Sequence, residues 1–173
     1  LIHAHFGISL LEAALGENQC SEYLERMANP VCEVVLTEAP LVAPDADVDL
    51  AGAVVDFWGA VRGLEESRKI DGIEYEGHER MAKHQLNAIA RRAIEKFSLE
   101  FVVIHHRLGF VAVGESSVFV RVASQHRQAA FEASPWIMNE LKKHVPIWKR
   151  VRYASGDRTL KKEGLLAKSD SRL

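Results

Sequence analysis

The sequence predicts an α+β fold, with two main helices packed on a mostly antiparallel sheet. Three observations lead there. Residues 79–97 and 125–144 repeat apolar side chains at three- and four-residue steps, the period of a helix with one buried face. Short runs rich in β-branched residues, bounded by Gly, Pro and charged clusters, fill most of the remainder. Taken in order they read as strands, helix, two strands, helix, strand, the pattern of helices laid against one sheet.

Each element has its own reason. In residues 1–26, Ile8, Leu11 and Leu15 share one helical face, Gly16 and Asn18 interrupt it, and Ser21 can cap a second short helix. Met27 stands just before a β-rich run and reads as a natural start. Residues 1–26 are therefore expected to be a helical N-terminal extension, and residues 27–173 the functional domain with a basic, partly flexible tail. "VCEVVLTEA" is a strand, "PDADVDL" a turn into a short helix, and "AGAVVDFWGAVR" a buried strand ending at Arg62. "GLEESRK" reads as an exposed polar loop, followed by the strand "IDGIEYEGH" with alternating Ile73 and Tyr75. From Glu79 to Phe97, Leu86, Ile89, Ala90, Ala93, Ile94 and Phe97 form one apolar stripe. "LEFVVIHHRLG" and "ESSVFVRVAS" are strands joined by a turn near Gly114. The second helix, Gln125 to His144, lays down Ala130, Phe131, Ser134, Ile137, Met138 and Leu141, and Pro135 predicts a kink or break near Ala133. Pro146 ends it, "IWKRVRYA" leaves as a strand, and "KSDSRL" is expected to be disordered.

A chain of 173 residues with 47% hydrophobic and 27% charged residues suits one globular domain. Cys20 and Cys32 form no CxxC pair, which argues against a disulfide framework or structural zinc and for a reducing, cytoplasmic setting. No apolar run reaches the roughly 18–20 residues of a membrane span, and no secretory signal pattern opens the chain. The formal charge of −2 hides an asymmetry: Leu141 to Leu173 holds ten Lys and Arg against three Asp and Glu, +7, which leaves −9 for residues 1–140.

Several chemistries can be set aside. Adjacent His105 and His106 on a strand point to opposite faces, and His78 and His84 fall on nearly opposite sides of a helix, so no metal site is expected. No G-x-S-x-G elbow, GxxxxGK[ST] or GxGxxG motif is present. What remains is basic: Arg62 at a strand end, His126 and Arg127 at the start of a helix, Lys142 near its end, and Lys149 and Arg150 beyond the turn. Strand ends and helix N-termini are places where donors converge on anions. A lysine among other cations, as Lys142 is beside Lys143 and His144, can serve as a proton donor or amine nucleophile. Singly, each is more often a solvated surface charge.

The stretches "GAVVDFWGAVR", "VVIHHRLGFVAVGESSVFVRVASQHRQAAFEA" and "IMNELKKHVPIWKR" closely resemble the large, catalytic subunit of molybdopterin synthase, over about Val31 to Arg158. The resemblance implies an α/β hammerhead fold with a small extra β subdomain. It also implies a central homodimer within a heterotetramer, each end binding a small ubiquitin-like sulfur-carrier subunit with a C-terminal Gly-Gly thiocarboxylate. The implied reaction is sulfur transfer to cyclic pyranopterin monophosphate, precursor Z, giving molybdopterin without a cofactor or metal in this step. By the family's motif Arg62, His126, Arg127, Lys142, Lys149 and Arg150 fall on substrate-pocket positions, with Lys142 and Lys149 catalytic. Arginine forks match oxyanions and lysine supplies a mobile proton or point charge. Ala60 stands where the family often has lysine, Val151 where it often has an acid, and Pro135 within a helix many relatives carry unbroken. The competing reading is a non-catalytic paralogue that binds the small subunit; nucleic-acid binding is disfavoured, since no known reader motif accompanies the basic tail.

Overall fold

The structure, a computed structural model, describes residues 31–44, 51–154 and 162–164. The expected N-terminal helices, most of "PDADVDL" and the "KSDSRL" end lie outside the described residues. In chain order the elements are β1 (Val31–Thr37), β2 (Ala53–Ala60), β3 (Leu64–Glu65), β4 (Arg68–Gly77), α1 (Glu79–Phe97), β5 (Phe101–Arg107), β6 (Gly109–Ala112), β7 (Ser116–Ser124), α2 (Arg127–His144), β8 (Ile147–Tyr153) and β9 (Lys162–Gly164). One sheet runs β1-β5-β7-β2, and a second runs β3-β4-β8-β9 with β6 also paired to β4. The ladders β2–β7, β5–β7, β3–β4, β4–β6, β4–β8 and β8–β9 are all antiparallel. The mixed α+β architecture is thus as expected, with the second sheet as the additional β element.

Burial explains the arrangement. The seven residues of β5 are buried, because the strand lies inside its sheet and its apolar face meets the helices. Leu86, Ile89, Ala90 and Ala93 of α1 join Ala130, Ala133, Ile137 and Leu141 of α2 over Val102, Ile104, Val120 and Val122. Small alanines at this seam let the two helices and the sheet approach closely. His78 caps α1, its Nδ1 accepting from the Met81 N–H at 3.3 Å, and Ser98 closes it in the left-handed conformation at φ 52°. A smaller core of Val61, Ile70, Ile73 and Val111 backs the second sheet.

Four expectations change. β2 is an edge strand rather than a buried one, and Val54, Phe57 and Trp58 are 39%, 37% and 40% exposed. An apolar run does not say whether a strand has one neighbour or two. "GLEESRK" is a hairpin, not a loop: β3 pairs with β4 across Glu66 and Ser67, both at positive φ (50° and 63°), the twist that a two-residue hairpin turn requires. A short β6 precedes the turn at Gly114, whose φ is 86°. Finally, α2 runs from Arg127 to His144 through Pro135 without a break. Pro135 is exposed and the orphaned carbonyl belongs to Phe131, itself 61% exposed, so water can take the lost hydrogen bond while Ala133, Ser134 and Ile137 hold the buried side. Phe131 accordingly leaves the predicted stripe, and Ala133 enters it.

Candidate functional site

β8 places the Lys149 ammonium. In the antiparallel ladder with β4, Lys149 lies opposite Tyr75, Arg150 opposite Glu74, and Trp148 opposite Glu76. Successive residues of a strand face opposite sides, so Lys149 and Val151 share the inner face with Tyr75 while Trp148, Arg150 and Arg152 take the outer one. On the inner side Lys149 Nζ donates to Glu65 Oε1 at 2.7 Å, and Arg62 Nη2 lies 3.6 Å from Glu65 Oε2. The β3–β4 hairpin carries this carboxylate back over β8. The Lys149 hydrogen bond is the main reason the Glu65 carboxyl is held below its usual range, with the charges of Lys149 and Arg62 adding to it. Behind them the Tyr75 phenol is pushed up by burial, partly offset by a hydrogen bond with Ser117. Ser117 in turn donates to the Gly59 carbonyl at 3.2 Å.

On the outer face Arg150 pairs with Glu76 and Arg152 with Glu74. A cleft of about 550 Å³ opens there, lined by Glu76, Gly77, His78, Trp148, Lys149 and Arg150. Trp148 is 39% exposed at its edge and not part of the core. Lys149 and Arg150, adjacent in sequence, both border this cleft but pair with different carboxylates, Glu65 and Glu76.

α2 separates the other candidates. His126 occupies its N-cap position without a side-chain cap bond, its carbonyl accepting from Ser124 Oγ at 2.8 Å, and Arg127 is the first helical residue. Lys142 is in the last turn, where cations also favour the helix dipole. Lys143 and His144 both approach Glu140, at 3.9 and 3.7 Å. Lys142 is exposed, and among the described residues it makes no side-chain hydrogen bond or ion pair, leaving its ammonium available. Fifteen residues at 1.5 Å rise put Arg127 and Lys142 about 22 Å apart along the axis. One chain thus brings Arg62 and Lys149 together around Glu65, and holds His126 and Arg127 a helix length from Lys142.

The residues that sequence reasoning missed are Glu65 and Tyr75. Tyr75 was visible as an alternating strand residue, whereas only the hairpin turn brings Glu65 to Lys149. His105 and His106 serve structure: His105 Nε2 lies 2.6 Å from Glu33, and His106 is buried with Nδ1 2.7 Å from the Arg107 carbonyl and its ring edge-on to Tyr75. Among the described residues no group of three potential metal ligands converges. Burial raises the Cys32 thiol, the opposite of nucleophile activation. No helix among the described residues is long and apolar enough to cross a membrane.

Residues 35–144 match the family described as MoaE protein. The chain is 40% identical over 99 residues to a molybdopterin synthase catalytic subunit of Pyrococcus abyssi, covering 57% of this chain and 67% of that one. With its counterpart in Culex quinquefasciatus the identity is 42% over 106 residues, 61% of this chain and 68% of the relative. Among solved structures, molybdopterin synthase from Staphylococcus aureus superposes with a TM-score of 0.66 at 29% identity, over 76% of this chain and 96% of that one. A complex of subunits 1 and 2 of the molybdopterin-converting factor from Helicobacter pylori shares the fold at a TM-score of 0.55 and 21% identity, over 74% and 92% of the two chains.

Proposed function

This chain belongs to the molybdopterin synthase catalytic subunit family, and from that premise we propose that it transfers sulfur from the thiocarboxylated C-terminus of a small partner protein to precursor Z, forming molybdopterin. The observation that carries the proposal is the family match over residues 35–144, which contains four of the six motif positions, Lys149 and Arg150 following just beyond it. The geometry supports it. Both reactants are anions, a cyclic phosphate and an acyl thiolate, and the chain offers an available ammonium at Lys142 and a paired one at Lys149 beside Arg62. A partner resembling subunit 1 or 2 of the Helicobacter pylori complex fits the need for a protein-borne sulfur donor.

In this reading Lys142 assists attack by the thiocarboxylate sulfur and its departure from the acyl carbon. Each transfer forms one carbon–sulfur bond on the substrate as a carbon–oxygen bond at the same carbon breaks, its oxygen leaving as water or staying on the opened phosphate; water then hydrolyses the acyl–sulfur bond and leaves the partner as a carboxylate. Lys149 and Arg62 offset the negative charge that develops as these bonds exchange. The separation of about 22 Å along α2 supports a homodimer in which His126 and Arg127 of one copy serve a pocket completed by Lys142 of another. Arg150, tied to Glu76 on the outer face of β8, lines the adjoining cleft and holds a more distant part of the substrate or the partner's tail.

The test is single-turnover conversion of precursor Z with a thiocarboxylated small subunit, comparing the parent with Lys142→Ala. Molybdopterin is expected from the parent, with the variant reduced on the order of 100-fold, the range of one general acid. A stable complex with the small subunit but no product from the parent would instead identify a non-catalytic paralogue.

A further inference from the structure

We infer that Glu65 is a positioning residue of this site that also sets its selectivity toward anions: its carboxylate holds the Lys149 ammonium in place and screens the Lys149–Arg62 pair until an anionic group of the substrate takes over. The inference rests on the reading of Lys149 as part of the sulfur-transfer pocket. Lysine has a flexible four-carbon stem with several rotatable bonds, and an unpaired ammonium samples many positions. Here the stem leaves β8 opposite Tyr75, and the 2.7 Å bond to Glu65 Oε1 fixes the far end. The second oxygen of the same carboxylate faces Arg62 Nη2 at 3.6 Å. One carboxylate therefore spans two cations, as a phosphate or thiocarboxylate would.

Three features make this a built arrangement. Glu65 is only 18% exposed at its side chain, whereas Arg62 is 82% exposed and free to turn toward a ligand. The carboxylate hangs from a two-residue hairpin turn whose central residues both adopt positive φ, a costly conformation kept because β3 must fold back on β4. Tyr75 stands opposite Lys149 in the β4–β8 ladder, held by a hydrogen bond with Ser117, and the lysine's ammonium reaches Glu65. The neighbouring Glu66 is exposed at the turn and forms no comparable contact among the described residues. A displaced carboxylate would remain beside the bound anion and repel it, which weakens the grip on every anion and favours one that also gains contacts elsewhere in the pocket.

Three variants test this: Glu65→Ala, which removes the group; Glu65→Gln, which keeps shape and an acceptor oxygen but no charge; and Glu65→Asp, which keeps charge on a shorter stem. Three readouts are compared with the parent. Inorganic phosphate binding, measured by calorimetry, is expected to tighten about fivefold in the alanine and glutamine variants, the effect of one partly exposed charge. Limiting acetylation followed by peptide mass analysis is expected to show Lys149 slower than Lys142 in the parent and equal to it in the alanine variant. In single turnovers the saturated rate falls on the order of tenfold in the alanine variant through misplacement of the ammonium, while half-saturation moves to lower substrate, and aspartate restores part of the rate. Unchanged phosphate affinity and unchanged Lys149 reactivity would overturn the inference, as would a loss of rate accompanied by weaker phosphate binding, which marks a merely structural role. Absence of turnover in the parent refutes the sulfur-transfer reading alone, because the phosphate and acetylation readouts still decide the role of Glu65.

Discussion

Pro135 sits in the middle of the 18-residue α2, where proline removes one backbone donor and crowds the carbonyl four residues earlier. That carbonyl belongs to Phe131, whose side chain is 61% exposed, and Pro135 itself packs into no core cluster. Replacing it with alanine restores an N–H to the Phe131 carbonyl and a residue about 3 kcal/mol better suited to a helix interior. The gain is reduced by the freedom that alanine returns to the unfolded chain, about 0.4–1 kcal/mol. A net stabilisation of about 2 kcal/mol is therefore expected from Pro135→Ala. At 2–4 °C per kcal/mol for a protein of this size, Tm should rise by about 4–8 °C. The assay is urea and thermal unfolding followed by helical circular dichroism, with the urea midpoint moving and the slope unchanged. An unchanged or lower midpoint would refute the reasoning, since it would mean that the ring contributes packing or that the helix is already relaxed around it.

Two further predictions follow from the core. Ile137 on α2 is fully buried against α1 and the sheet, so Ile137→Ala should cost about 2–5 kcal/mol through lost burial and the cavity left behind; the urea midpoint reports it, and a loss under about 1 kcal/mol would contradict the packing. His106 is buried and kept neutral, its pKa lowered from 6.5 to about 4 by desolvation. Its contribution is complete above pH 6.5 and is lost as pH falls toward 4, because the unfolded chain takes up a proton that the folded chain refuses. The loss over that window is about 3 kcal/mol, and His106→Gln, which can still donate to the Arg107 carbonyl, should flatten that part of the stability profile. A parallel profile in the variant would assign the acid sensitivity to other groups.

Much of the fold was legible because it rests on local periodicity. The stripe from Leu86 to Ile94 appears in sequence as it does in the folded helix, since a single period of 3.6 decides which residues share a face. The β-branched runs of β1, β5 and β7 read as strands for the same kind of reason. Less could be read where the answer depends on what lies next to an element. β2 has the apolar content of an interior strand and lies at an edge. Glu66 and Ser67 lack the glycine that usually announces a tight hairpin, so β3 was hidden in a polar stretch. Pro135 carried a strong local signal for a break, and the buried contacts of Ala133, Ser134 and Ile137 outweighed it.

The candidate site divides along the same line. The family was readable from the chain itself, because the strand, S-x-H-R, L-K and W-K-R pattern is a matter of residue identity and spacing, and that pattern also named the candidate cations. How those cations are arranged was decided only by the tertiary structure. Strand alternation turns Lys149 and Arg150 to opposite faces of β8, the length of α2 holds Arg127 away from Lys142, and a hairpin brings Glu65 across 84 positions of sequence to within 2.7 Å of Lys149. Residue chemistry is carried by each amino acid wherever it lies, whereas proximity between distant residues exists only after burial of the apolar faces has fixed how the two sheets and two helices fold back on one another.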